Sequence, residues 1–208
     1  MSISNYTDLQ SSITDWLNRD DLAAVVPTFI SMAEADISRK LQHWRMETRS
    51  TATLDSRFSA LPSDWSGTVS LTMNIDGKDY PIRLASVADI SDQRSNASSG
   101  NGRPELYAIT GGQIELFPVP STAYTAELVY LAGVPALSAS APTNWLLSLS
   151  PDLYLYGALV QSAPYLKDDQ RAPIWAGLYQ SALDGLNSSS DSERFSGTGL
   201  RLKTRGFR

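Results

Sequence analysis

The hydrophobic period of this chain changes twice, and that constrains its fold more than any single motif. Near both ends apolar residues recur every three to four positions, as on one face of a helix; in the middle they alternate, as on one face of a strand. In "SNYTDLQSSITDWLN" (4–18), Leu9, Ile13, Trp16 and Leu17 share a face, and Ser4 or Asn5 can cap the helix by accepting a free backbone N–H. "DLAAVVPTFISMAEADISRKLQHW" follows. Proline is best tolerated in a first helical turn, so Pro27 predicts a short turn over 21–25 and a helix over 27–43. Its inner stripe is Phe29, Ala33, Ile37 and Leu41, with Glu34, Asp36, Arg39 and Lys40 outside.

The helical period returns near residue 150. Ser150 as cap, Pro151 at the first helical position and Asp152 in the first turn predict a helix over 150–163. A second helix is predicted over about 171–186, where Ile174 and Leu178 align with Ala182, and Trp175 with Tyr179 and Leu186. We expect Trp16, Phe29, Ile37, Val160 and Leu178 in a shared core, because amphipathic helices must bury their faces and can do so against each other.

Between the helices the chain is written as strands. "TRSTATL" is Thr-rich and β-prone. "VSLTMNI" alternates, placing Val69, Leu71, Met73 and Ile75 on one face, and runs through Asp76-Gly77 into "KDYPIRL". Asp-Gly between two such runs signals a two-residue hairpin turn. "LYAIT" and "QIELF" flank Gly111-Gly112 in the same way, and "AELVYLAG" adds a further strand. "SDQRSNASSGNGRP" (91–104) lacks periodicity and reads as an exposed, mobile loop. Its residues Arg94, Asn96, Ser99, Asn101 and Arg103 are candidates for an assembly interface, because long loops in compact domains are commonly functional.

The fold class is therefore α+β: a four-helix-type bundle formed by both chain ends, an inserted antiparallel β domain and an extended C-terminal arm. The expected divisions are 1–44 and 135–187 for the bundle, 45–134 for the β domain, and 188–208 for a linker and arm. The 208 residues are 42% hydrophobic and 19% charged, a globular composition. No apolar run reaches the roughly 18 residues of a bilayer span, and "MSISNYTDLQ" has no signal-peptide pattern. The chain has no cysteine, which excludes disulfides, thiolate metal sites and thiol nucleophiles and fits synthesis in a reducing cytoplasm. The single histidine, His43, reads as a partly exposed residue at a helix end: no partner motif for a zinc or Ser-His-Asp site flanks it. No phosphate-binding glycine motif is present, and no cofactor is expected.

The C-terminus, "RFSGTGLRLKTRGFR" (194–208), carries five Arg or Lys and no acid on a chain of net charge −5. Residues 1–193 therefore carry about −10 against the tail's +5. "NSSSDSE" before it reads as a polar linker.

Three segments, in order, resemble the head-to-tail adaptor proteins of tailed phages, the group that includes the tail accessory factor of short-tailed enterobacterial phages. They are "LQSSITDWLNRDDLAAVVPTFISMAEADISRKL", "LYAITGGQIELFPVPSTAYTAELVYLAGVPALS" and "TNWLLSLSPDLYLYGALVQSAPYLKDDQR", within residues 3 to 187. The resemblance implies a structural virion protein made in the host cytoplasm and placed at the head-to-tail junction. It implies a ring of identical subunits, commonly twelve, under the portal protein, with a tail or nozzle protein below and DNA passing through without specific binding. It also implies that the C-terminal arm reaches the portal. The candidate contacts are Phe195, Leu200, Leu202 and Phe207 as apolar anchors and Arg201, Lys203, Arg205 and Arg208 as charge partners. Leu200 and Leu202 alternate with Arg201 and Lys203, as in a strand that adds to a sheet edge.

Two other readings compete. The basic tail is also a possible nucleic-acid-binding arm, neutralising about five phosphates, although the acidic body opposes that. A cell-wall hydrolase carried in the virion needs two carboxylates roughly 5 to 10 Å apart; Glu34, Glu47, Glu105 and Glu127 are available, but nothing in the sequence pairs them.

Overall fold

The computed structural model describes residues 3–97, 99–167 and 170–195. The chain divides into two compact units: residues 45–133 form one, and the segments before and after them form the other.

The first unit begins with α1 (Tyr6–Leu17), whose cap is Asn5: its Oδ1 accepts the Asp8 N–H at 2.9 Å. Leu9, Ile13 and Leu17 are buried, but Trp16 is 45% exposed, contrary to its expected place in the core. At the last turn of α1 the indole meets Tyr156 edge-on, at 5.8 Å between ring centroids, and its remaining surface faces solvent. A short turn over Asp20–Leu22 leads to α2 (Val26–Lys40), with Pro27 in its first turn. Phe29, Ala33, Ile37 and Leu41 are all buried, as the stripe requires.

In the second unit, β1 (Glu47–Leu54), β2 (Phe58–Ala60), β3 (Trp65–Ile75) and β4 (Lys78–Leu84) precede α3 (Val87–Asn96). Then come β5 (Asn101–Gly102), β6 (Leu106–Thr110), β7 (Gln113–Phe117), β8 (Val119–Pro120) and β9 (Tyr124–Ala132). Seven strands form one sheet in the order β1-β9-β3-β4-β6-β7-β2, and β5 pairs with β8. Pairing in the large sheet is antiparallel except between β4 and β6, which the segment containing α3 connects. Both hairpin turns form as written. Asp76 and Gly77 have φ of 50° and 76°, and Gly111 and Gly112 have 58° and 77°, the left-handed backbone that a tight two-residue turn needs.

Leu71 and Met73 enter the core of this unit with Leu54, Ile82, Leu116 and Leu128, but Val69 is 49% exposed rather than on their face. The cause is a bulge: Thr68 pairs with Tyr130 and Ser70 with Val129, so Val69 is the extra residue. The expected loop over 91–104 is also corrected. Its first part is the second half of α3, started by a reciprocal cap between Ser86 and Asp89. Only Ile90 of this helix is buried, packing on Leu106, Ala108 and Phe117, so its sequence carries almost no period.

The chain returns to the first unit through α4 (Trp145–Leu149), α5 (Pro151–Leu166) and α6 (Ala172–Phe195). Helix α5 packs against α1, α2 and α6. Its Gly157 sits where a Cβ would lie 3.2 Å from both the Ala33 side chain and the Tyr179 ring, so its lack of a side chain sets how closely α2 and α6 approach.

On α6 the buried stripe is Trp175, Tyr179 and Leu183, while Leu178 is 39% exposed and Ile174 more so; the placement of Leu178 inside is wrong. The space at Gly157 and a 2.8 Å hydrogen bond from the Tyr179 hydroxyl to Asp36 select the neighbouring stripe. Val160 is half-buried rather than interior.

The expected polar linker "NSSSDSE" is part of helix α6, which holds the end of α2. The Asn187 side chain accepts the Gln42 N–H at 2.8 Å, and Ser190 Oγ accepts the Trp44 N–H at 2.9 Å. His43 is buried between the Trp44 and Trp145 rings, not partly exposed.

Candidate functional site

The five residues expected at an assembly interface lie in two settings. Arg94, in the last turn of α3, donates to Glu115 Oε1 at 2.6 Å. The same oxygen accepts from Arg57 Nε and Nη2 at 3.0 and 2.8 Å. Glu115 is buried on β7. Burial alone would raise its carboxyl, but the hydrogen bonds and charges of Arg57 and Arg94 outweigh that and hold it below its ordinary value. Arg94 thus ties α3 to the sheet through Glu115.

The other four residues are exposed. Asn96 ends α3, the Ser99 hydroxyl donates to the Asn101 carbonyl at 3.1 Å, and Asn101 sits in β5 beside Val119. The Arg103 guanidinium lies 4.9 Å from the centroid of the Tyr80 ring and 3.6 Å from Glu105. These contacts fix the segment against its own sheet and leave Asn96, Ser99, Asn101 and Arg103 on the surface.

Of the candidate portal contacts, Phe195 is the last residue of α6. Leu200, Arg201, Leu202, Lys203, Arg205, Phe207 and Arg208 lie outside the described residues.

Sequence reading missed a slot in the β unit. The two edge strands of the large sheet, β1 and β2, both line one cavity of about 240 Å³. Its walls carry the small Ser50 and Ala52 from β1 and Ser59 and Ala60 from β2, with the larger Leu54, Leu61 and Pro62 beside them, and its floor includes Leu71, Ile114 and Leu128. Both strands carry small side chains in the sequence, but nothing there tells that one edge turns toward the other.

The carboxylates weighed for hydrolysis have other occupations. Glu34 accepts the Leu137 N–H at 2.7 Å, and burial pushes its carboxyl above its ordinary value against that bond. Glu105 and Glu127 lie 3.6 Å from Arg103 and Arg49. Glu34 belongs to the helical unit, whereas Glu47, Glu105 and Glu127 belong to the β unit. Among the described residues no group of three or more His, Asp or Glu could hold a metal, and no helix is long and apolar enough to cross a membrane.

In comparisons with known proteins, the model of a family described as SU10 adaptor protein matches residues 4–202. No curated protein matches the chain.

Proposed function

The chain belongs to the SU10 adaptor protein family, a structural family of phage proteins, and on that footing we propose that it is the head-to-tail adaptor of a tailed phage. Identical copies, twelve by the usual portal symmetry, form a ring beneath the portal protein. The ring extends the DNA channel and carries the tail or nozzle protein below. The helical unit acts as a four-helix-type bundle that holds the ring body, and the β unit is inserted into it. The residues beyond Phe195 form an arm whose end, with Arg205, Phe207 and Arg208, reaches the portal.

The observation that carries this reading is the family match across nearly the whole chain, including the basic segment up to residue 202. Charge agrees with it. A body near −10 repels the phosphates of passing DNA, so transit is not slowed by release of counterions from bound DNA. Asn96, Ser99, Asn101 and Arg103 form an exposed surface for a neighbouring subunit or the tail-side protein.

Cross-linking of intact virions tests the proposal. Peptides of this chain are expected joined to portal peptides, with the last residues among them. Their absence from virions, or cross-links to capsid protein alone, would overturn it.

A further inference from the structure

The slot between β1 and β2 is an incomplete sheet closure, and the chain itself carries a strand that fits it. Edge strands are usually blunted by lysine, proline, bulges or shortness. The β2 edge is short, at three residues. The β1 edge is eight residues long, "ETRSTATL", contains no Lys or Pro, and pairs with β9 without a register shift. Among the described residues no strand pairs with its outer edge, so it offers a template for another strand. Of the side chains that β1 turns to the slot, Ser50 and Ala52 are small and Leu54 closes its end, while the floor includes Leu71, Ile114 and Leu128. An incoming strand with apolar residues at alternate positions would close the gap; a polar one would bury unpaired groups there.

Only one stretch beyond the described helices has that pattern: "GLRLKT" (199–204), with Leu200 and Leu202 at alternate positions and Arg201 and Lys203 between them. An apolar cavity of about 150 Å³ accepts a benzene-sized group, so about 240 Å³ has room for both leucine side chains. Six extended residues span roughly 20 Å, comparable with β1. The tail's +5 against a body near −10 favours the encounter.

We propose that residues 199–204 of one copy add as a strand to the β1 edge of a second copy, with Leu200 and Leu202 in the slot and Arg201 and Lys203 on the opposite face. Every copy then supplies one strand and one slot. Such a head-to-tail contact closes into a ring when the rotation between copies closes. The inference rests on the proposed assembly of identical copies, and it leaves Arg205, Phe207 and Arg208 for the portal.

The absence of cysteine makes disulfide trapping a clean test. Full-length Leu202→Cys chain, carrying a mass tag, is mixed with full-length Ala52→Cys, Ser50→Cys or Thr51→Cys chain and oxidised mildly. Ser50 and Ala52 face the slot, and Thr51, between them, points to the other side. The mixed disulfide should form at least about tenfold more with position 50 or 52 than with position 51. Equal yields, or none, would overturn the inference. A chain carrying both Ala52→Cys and Leu202→Cys should link between copies; a bond formed mainly within one chain would overturn the copy-to-copy contact. Sedimentation of the unmodified chain with purified portal protein is run alongside. Portal binding without trapping would sink this contact alone, whereas trapping without portal binding would sink the adaptor reading alone.

Discussion

At the scale of single residues, the buried stripe of α6 decides which leucine matters. Leu183 is 2% exposed and Leu178 is 39% exposed. Leu183→Ala should therefore cost about 2 to 5 kcal/mol, and Leu178→Ala less than about 1 kcal/mol, by chemical denaturation. The reverse order would mean that the helix is rotated. Sequence alone could not choose between the two stripes, because both are apolar at helical spacing. The choice is made by Gly157 and Asp36, residues distant in the chain.

Glu115 supplies a second test. Its folded carboxyl lies below the ordinary value near 4.5, so between the two values the unfolded chain binds more protons. Its contribution is present above about pH 4.5 and is lost as pH falls through the folded value. Glu115→Gln should lower stability near neutrality by about 1 to 3 kcal/mol and flatten the acid limb of the stability curve. An unchanged acid limb would show that Arg57 and Arg94 do not hold the charge.

At the scale of elements, α3 is the sharpest case. Ser86 Oγ accepts the Asp89 N–H at 3.0 Å, while the Asp89 carboxylate accepts the Ser86 N–H at 3.2 Å. Ser86→Ala should cost about 1 kcal/mol and raise amide exchange over residues 87–96; unaltered exchange there would remove the cap from the account of this helix. The sequence reading passed over this Ser-x-x-Asp cap, because a helix with one buried side chain has no readable period. The strongest sequence signals had local causes: the left-handed turns at Asp76-Gly77 and Gly111-Gly112, the Asn5 cap and the α2 stripe. Where the reading failed, the cause was tertiary. The bulge at Val69 depends on pairing with β9, and the serines of 188–190 stay helical because Asn187 and Ser190 hold Gln42 and Trp44. Asn96, Ser99, Asn101 and Arg103 are exposed, whereas Arg94 turns toward Glu115 on β7, a partner distant in the chain that no local pattern announces.

At the scale of the molecule, the alternation of periods made the α+β class legible, and three ordered segments made a phage adaptor legible. The slot between β1 and β2 was not, because sheet curvature has no local signature. We propose that copies of this chain assemble as a ring on a portal. The most direct measurement is the sedimentation mass of the full-length chain mixed with purified portal protein of its own phage, across a titration of the chain. The predicted result is a saturating complex with a fixed whole-number ratio of chain to portal subunits, reached in one cooperative step. Unshifted portal with the chain still free at every ratio would contradict it.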